Sequence, residues 1–375
     1  MRLSTIALVA LGLVPAGARA VTIELVNVGD PGNGFDPLNT NLVAGIGSVA
    51  SVYSIGRFEV KNSQYAEFLN AVADTDTYGL YNISMSSDVK GGITRSGSSG
   101  SYSYTPKTGY ESMPVVFVSF YDAARFANWM ENGQPTGGQS FATTEAGAYT
   151  LYTSGSTTTN IGPRSSSAIW FLPTENEWYK AAYYDPSASA TTNYWLYPTQ
   201  SDLTPNSRLP NAGDANSGNF FRDDSSPDDF LNDGYASTGN PTFYTTTNYL
   251  TPVGSYELAE SYYGTFDQGG NVSEWTETTY PGNMRVRRGG YWGNGAGSLS
   301  STARDAYIPT QERSDTGFRL AAIPEPPALT AAACLVLVIC LGRTLFARAC
   351  PTAPSRARPA ARSAMASAKG SPAAT

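Results

Sequence analysis

Histidine is missing from this 375-residue chain and cysteine nearly so, the three cysteines being Cys334, Cys340 and Cys350 near the C-terminus. Everything before Cys334 therefore lacks a thiol nucleophile, an imidazole base and any His or Cys metal ligand, and it can form no disulfide. Charge is sparse at 15% of residues. Setting Arg2, Arg19, Glu325 and the six basic residues after Leu341 apart from the totals of 24 basic and 31 acidic leaves 16 against 30 in residues 21–323, a net charge of −14. Such acidity disfavours nucleic acid as a partner and suits cations, polysaccharide or other surface proteins. No internal repeat and no Pro-rich or charged linker interrupts Val21 to Ile323, a stretch long enough for one large domain or two ordinary ones.

The two ends carry different signals. Arg2, an apolar run from Ile6 to Val14 and the small residues of Ala18-Arg19-Ala20 predict a secretory signal at 1–20, cut after Ala20 by signal peptidase. That run is too short to span a bilayer, which needs roughly 20 residues. Ala328 to Ala347 is long enough if Arg343 snorkels. With Arg348, Arg356, Arg358, Arg362 and Lys369 beyond it and no acid, the tail is expected to stay cytoplasmic while the preceding domain faces outward.

Three amphipathic helices are predicted in between. Tyr65, Phe68, Leu69 and Val72 share one face after a cap at Asn62. Ser119 and Asp122 form a capping-box pair before Ala123, Phe126, Ala127 and Met130, and Thr174 and Glu177 another before Trp178, Ala181 and Ala182. Val115 to Val118 and Trp170 to Leu172 read as strands, and the clusters Ser96 to Ser103 and Ser154 to Thr159 as long surface loops. Together these predict a loop-rich α+β domain.

Six blocks, in order, resemble the formylglycine-generating-enzyme or sulfatase-modifying-factor family: IGRFEVKNSQYAEFLNAV from Ile55, MPVVFVSFYDAARFANWM from Met113, FLPTENEWYKAAY from Phe171, GTFDQGGNVSEW from Gly264, RRGGYW from Arg287 and TGFRLA from Thr316. The resemblance covers a core of about 49–322 and implies a single domain of the C-type-lectin-like kind. Separately, Pro324-Glu325-Pro326, the apolar segment and the arginines resemble the PEP-CTERM sorting signal of Gram-negative bacteria over 324–348, followed by a basic tail at 349–375. That resemblance implies exosortase as a processing partner, membrane attachment through the C-terminal helix, and a periplasmic or cell-surface place for the domain.

The family's oxidases hold copper(I) on two cysteines after the Arg-Gly-Gly block. Here that region runs from Trp292 to Ser300 without a cysteine, and Asn or Ser oxygen cannot replace soft thiolates. A related branch holds iron on three histidines, which this chain lacks. Neither copper nor iron is expected.

Calcium is expected. The resemblance maps one site onto Asn216, Ser217, Asp233 and Tyr235, and a second onto Asp267, Gly270, Val272 and Glu274, all hard oxygen donors from side chains or carbonyls. Trp275, Trp178 and Trp129 are read as core anchors and Arg319 as a bridge between loops.

Two functions from different classes follow. The first is a non-catalytic binding or structural protein whose ligand face, by the resemblance, includes Tyr291, Trp292, Asn294, Ser298, Arg304, Tyr307 and Arg313, with Asp305 and Asp315 beside them. The alternative is an enzyme: a formylglycine-generating oxidase acting on a sulfatase cysteine, or another activity of that family. Of the acidic pairs, Asp223 with Asp224 and Asp228 with Asp229 could in principle do acid–base work, but clustered acids in a Ser, Pro and Asp loop read as a solvated face.

Overall fold

The computed structural model describes residues 20–39, 43–187, 192–226 and 230–324. The signal segment, the apolar and basic C-terminal stretch, Glu325, Pro326, Asp228 and Asp229 lie outside the described residues. Among the described residues no helix is long and apolar enough to cross a membrane.

The architecture is loop-rich and mostly sheet, with few helices. In chain order come β1 (Leu25–Val28), β2 (Tyr53–Gly56), α1 (Asn62–Val72), a single turn α2 (Ser84–Ser87), β3 (Ile93–Ser96), β4 (Ser103–Pro106), α3 (Phe120–Glu131), β5 (Leu151–Ser154), β6 (Thr157–Ile161), β7 (Trp170–Phe171) and α4 (Glu175–Tyr183). The second half holds β8 (Asn206–Ser207), β9 (Ser217–Gly218), β10 (Phe221–Asp223), β11 (Asp233–Tyr235), β12 (Ser273–Tyr280), β13 (Met284–Arg288), β14 (Asp305–Tyr307), β15 (Thr316–Gly317) and β16 (Ala321–Ala322).

Two four-stranded sheets frame the molecule, in the orders β1-β2-β16-β7 and β14-β13-β12-β15. In the first, Ala321 pairs with Ile55 and with Phe171, so the last block closes the sheet between two early ones. In the second, the β12–β13 hairpin sets Glu274 opposite Arg288, while β15 runs parallel to β12 with Glu274 beside Gly317. Between them lies an aromatic core in which the Phe126 ring of α3 meets Tyr65 and Phe68 of α1, Trp129 and Phe318 at centroid distances of 5.3–6.1 Å. Trp275 and Trp178 are fully buried and Trp129 nearly so, as core anchors should be.

The predicted helices form, and their apolar faces are buried. One cap differs: the N-cap of α1 is Lys61, and Asn62 is already helical, its amide donating to the Tyr110 carbonyl instead. Ser119 and Thr174 cap α3 and α4 as reciprocal pairs with Asp122 and Glu177.

Two sequence expectations are corrected. Val115 to Val118 is not a strand: it is a buried irregular run whose Val115 and Phe117 N–H groups donate to the carbonyls of Val60 and Arg313. Phe117 sits at φ +61°, which breaks the alternation a ladder requires. The Ser96–Ser103 cluster is the expected surface loop, joining β3 to β4, whereas Ser154–Thr159 is a tight hairpin turn running into β6 rather than a long loop. The alternation Ser101-Tyr102-Ser103-Tyr104 turns Tyr104 inward, and β-branched Thr157 to Thr159 favour extended backbone after the turn at Gly155.

Because the Thr174 hydroxyl accepts from the Glu177 N–H, Thr174→Ala is expected to lower unfolding free energy by about 1 kcal/mol. Lys61→Ala, at a cap with no side-chain hydrogen bond, should cost less than about 0.5 kcal/mol. Urea unfolding of the three proteins checks both values.

Candidate functional site

The segment before β12 folds back on itself. Asp267 and Asn271 adopt φ +60° and +56°, and Gly270 adopts φ +100°. A Cβ on Gly270 would lie 2.3 Å from the Asn219 carbonyl oxygen, so only glycine permits this approach. Asn271 fixes the fold-back: its Oδ1 accepts from Asn219 Nδ2 (3.0 Å) and Thr251 N (3.1 Å), and its Nδ2 donates to Glu59 Oε1 (3.1 Å).

This brings three carboxylates into electrostatic contact. Glu274 is fully buried and receives Arg319 Nε at 2.6 Å, Arg319 Nη2 at 2.7 Å and Trp178 Nε1 at 2.8 Å. Asp267 Oδ2 accepts from Gly254 N at 2.6 Å. Glu59, 1% exposed, leaves Oε2 without a hydrogen-bond partner. Burial pushes the Glu59 carboxyl well above its usual range, Asp267 adding to the rise and Arg319 opposing it. Burial likewise lifts Asp267 to about 6, against the pull of the Gly254 N–H and Arg319.

Among the described residues, the only ion pair these three acids make is Glu274 with Arg319. The second expected calcium set thus gathers at one buried junction, where Glu274 and Asp267 Oδ2 already accept from protein donors and the oxygen left over belongs to Glu59. Among the described residues no three acidic side chains are close enough to hold a metal unaided, so the Gly270 and Val272 carbonyls would have to contribute.

The first expected set is spread over two strands. Asn216 directly precedes Ser217 of β9, which pairs in parallel with β8, while Asp233 and Tyr235 lie on β11 beside β10. Asn216 Oδ1 accepts from Thr199 Oγ1 at 2.6 Å, and the Tyr235 carbonyl accepts from the N–H groups of Thr238 and Gly239 at 2.9 and 2.8 Å. Two of its four oxygens thus already have protein donors.

After β13 lies a cleft of about 200 Å³ lined by Ser273, Arg288, Gly290, Asn294, Ser298 and Arg304 among others. Its cations are engaged. Glu175, at the start of α4, binds Arg288 at 2.6 Å and Arg304 at 2.7 Å, and Arg287 reaches Asp305 at 2.6 Å. Of the remaining expected face, Arg313 is held by Asp315 at 2.6 Å and stacks over Tyr307. Trp292 is 7% exposed, its ring parallel to Tyr249 at 4.9 Å and to Phe243 at 6.1 Å. Tyr291, Asn294 and Ser298 are half-buried around the cleft, with Asn294 Oδ1 accepting from the Tyr291 N–H.

Sequence reasoning missed Glu59 and Glu175. Each has a local sign: Glu59 is an acid wedged between Phe58 and Val60 in an apolar block, and Glu175 is a helix-first acid. Asp223, the last residue of β10, and Asp224 beside it are exposed acids whose oxygens accept from Ser225 and Ser226 N–H groups.

The sulfatase-modifying factor enzyme 1-like domain family matches residues 47–323. No curated protein matches the chain. Among solved structures, the chain is similar to CarF at 24% identity, covering 81% of this chain and 99% of that one with a TM-score of 0.45. It is also similar to Treponema denticola variable protein 1, at 17% identity, 82% and 97% coverage and TM-score 0.44. PvdO from Pseudomonas aeruginosa matches at 17% identity, 74% and 82% coverage and TM-score 0.38.

Several acids elsewhere are also raised by burial: Glu277 to about 7, against Arg164 and Tyr149; Glu312 to about 7, with Asp122 adding; and Asp122 to about 6, against Arg125. A carboxyl with a folded pKa above its unfolded value contributes stability that is complete below about pH 4 and lost as pH rises through 6–7. In chelator the protein is therefore expected to melt higher at pH 5 than at pH 7.5, and Glu277→Gln should shrink the difference. Calorimetry at the two pH values decides it; a higher melting temperature at pH 7.5 would refute the reading.

Proposed function

Since this chain belongs to the sulfatase-modifying factor enzyme 1-like family, matched over residues 47–323, we propose that it acts as a non-catalytic binding or structural module of that family. The observation that carries this reading is chemical: no thiol and no imidazole occurs anywhere before Cys334. The cleft after β13 is walled instead by arginines locked onto carboxylates. Thiolate redox chemistry with copper needs a soft ligand that this domain does not possess.

In this proposal the module, on a scaffold of the C-type-lectin-like kind, is exported by a Gram-negative bacterium after signal-peptidase cleavage. It is held at the membrane, in the periplasm or at the cell surface through its C-terminal segment, with exosortase acting near Pro324-Glu325-Pro326. Its ligand is an extracellular polysaccharide or a surface protein, met by Tyr291, Asn294, Ser298 and Tyr307. Arg304 and Arg313 shape that face from within their ion pairs.

Calcium belongs to the same proposal. Asp267, the Gly270 and Val272 carbonyls and Glu274 would hold the ion, which neutralises the surplus of buried negative charge. The set of Asn216, Ser217, Asp233 and Tyr235 is the other candidate. With free calcium about tenfold above the dissociation constant, linkage is worth about 1.4 kcal/mol per site, a melting shift of a few degrees.

Two measurements test the proposal. The full-length protein is expected to give no turnover above a copper-only blank with a sulfatase-type cysteine peptide, read by mass spectrometry, and real turnover would overturn the non-catalytic reading. Calcium is expected to raise the melting temperature relative to chelator. Asp267→Asn should abolish most of that rise while leaving the Glu274–Arg319 pair intact, and Asp233→Asn tests the other set. Equal melting temperatures in calcium and chelator would eliminate both.

A further inference from the structure

Where β12 ends and β13 begins, a second cleft of about 430 Å³ opens, within the size range of small-molecule sites. It shares no lining residue with the cleft after β13. Its walls differ in chemistry. On one side Arg285 lies with its guanidinium carbon 4.5 Å from the centre of the Phe120 ring and donates Nη1 to the Glu277 carbonyl. Among the described residues no carboxylate lies within 4 Å of it, and burial pulls its pKa down, with Tyr121 and the more distant Glu277 carboxylate opposing only in part. A guanidinium taken partly out of water with donors left over is set to receive an anion.

On the other side the Glu277 carboxylate accepts from Tyr149 Oη at 2.6 Å and pairs with Arg164 at 3.2 Å. Thr279 adds a hydroxyl, and Ile161 and Pro163 supply an apolar wall. A ligand that satisfies all of this carries, on one small frame, an anion for Arg285, hydroxyl donors for Glu277, and a C–H face for the apolar wall. A peptide carboxylate lacks the hydroxyls, and a neutral sugar lacks the anion.

We propose that this cleft binds a hexuronate, free or as a unit of an acidic polysaccharide, with the sugar carboxylate on Arg285 and ring hydroxyls on Glu277 and Thr279. The site stands independently of whether the face around Tyr291 binds anything.

The test is calorimetric titration of the full-length protein with glucuronate and galacturonate, with glucose and inorganic sulfate as controls. At least one uronate should bind in the millimolar range and glucose at least about tenfold more weakly. Arg285→Gln should abolish binding, while Arg285→Lys, which keeps the charge and loses the planar fork, should retain part of it. Leu203→Ala, at an exposed residue outside this cleft, should bind as the parent does. Melting curves establish that each variant is folded; should Arg285→Gln fail to fold, Arg285→Lys and Thr279→Val carry the test, each expected to weaken binding. A uronate-loaded oligosaccharide that binds more tightly than the free sugar identifies a polymer as the source, and equal affinity identifies the free acid. The proposal is overturned if neither uronate binds, if glucose binds equally well, if sulfate displaces the uronate at equal concentration, if folded Arg285 variants keep full affinity, or if Leu203→Ala abolishes binding.

Discussion

The buried pair between Glu274 and Arg319 is the contact on which most of the rest depends. Both side chains are wholly buried, and the guanidinium spends its remaining donors on the carbonyls of Gly56 at 2.9 Å and Phe266 at 2.8 Å. One residue thus ties the end of β2, the fold-back before β12 and β12 itself to the closing segment of the domain. Trp178 Nε1 on Glu274 adds α4 to the same knot. With short strands and no disulfide, this chain relies on such polar junctions where longer sheets would rely on ladders.

The same arrangement recurs at Glu175, which joins the start of α4 to Arg288 of β13 and to Arg304 in the loop before β14. Both acids lie on core elements, and both are reached by arginines from later blocks. The family blocks are therefore not independent motifs but the two halves of ion pairs that close the domain. This explains why charged residues sit inside runs that otherwise read as apolar core: a buried charge persists where its partner and hydrogen bonds are supplied by the fold.

Glu59 and Asp267 break that pattern. They bring negative charge to the Glu274 junction beyond what Arg319 offsets, and leave Glu59 Oε2 orphaned. Arg285 is the opposite case, a cation in a cleft that makes no direct ion pair among the described residues, although the Glu277 carboxylate acts on it from a distance. Lys180 is a further buried cation without an ion pair among the described residues, its ammonium held instead by the carbonyls of Gly29 and Asp30.

The chain's own composition decided what chemistry is open to the domain. Without histidine, and without cysteine before Cys334, no arrangement of loops can assemble a thiolate or imidazole site. Local pattern was also enough for the three longer helices, because an apolar stripe at helical spacing and a capping pair are read within a few residues. It was not enough at Val115 to Val118 or at Ser154 to Thr159. There Phe117 takes φ +61° to reach the Arg313 carbonyl, and cross-strand pairing of Ser154 with Thr157 outweighs turn-like composition. The gathering of Glu59, Asp267 and Glu274 around Arg319, the capture of Arg304 by Glu175, the burial of Trp292 and the absence of an ion pair at Arg285 among the described residues rest on contacts between residues far apart in the chain. No local sequence property encodes those, since the energy of a buried charge depends on which distant charge the fold places beside it.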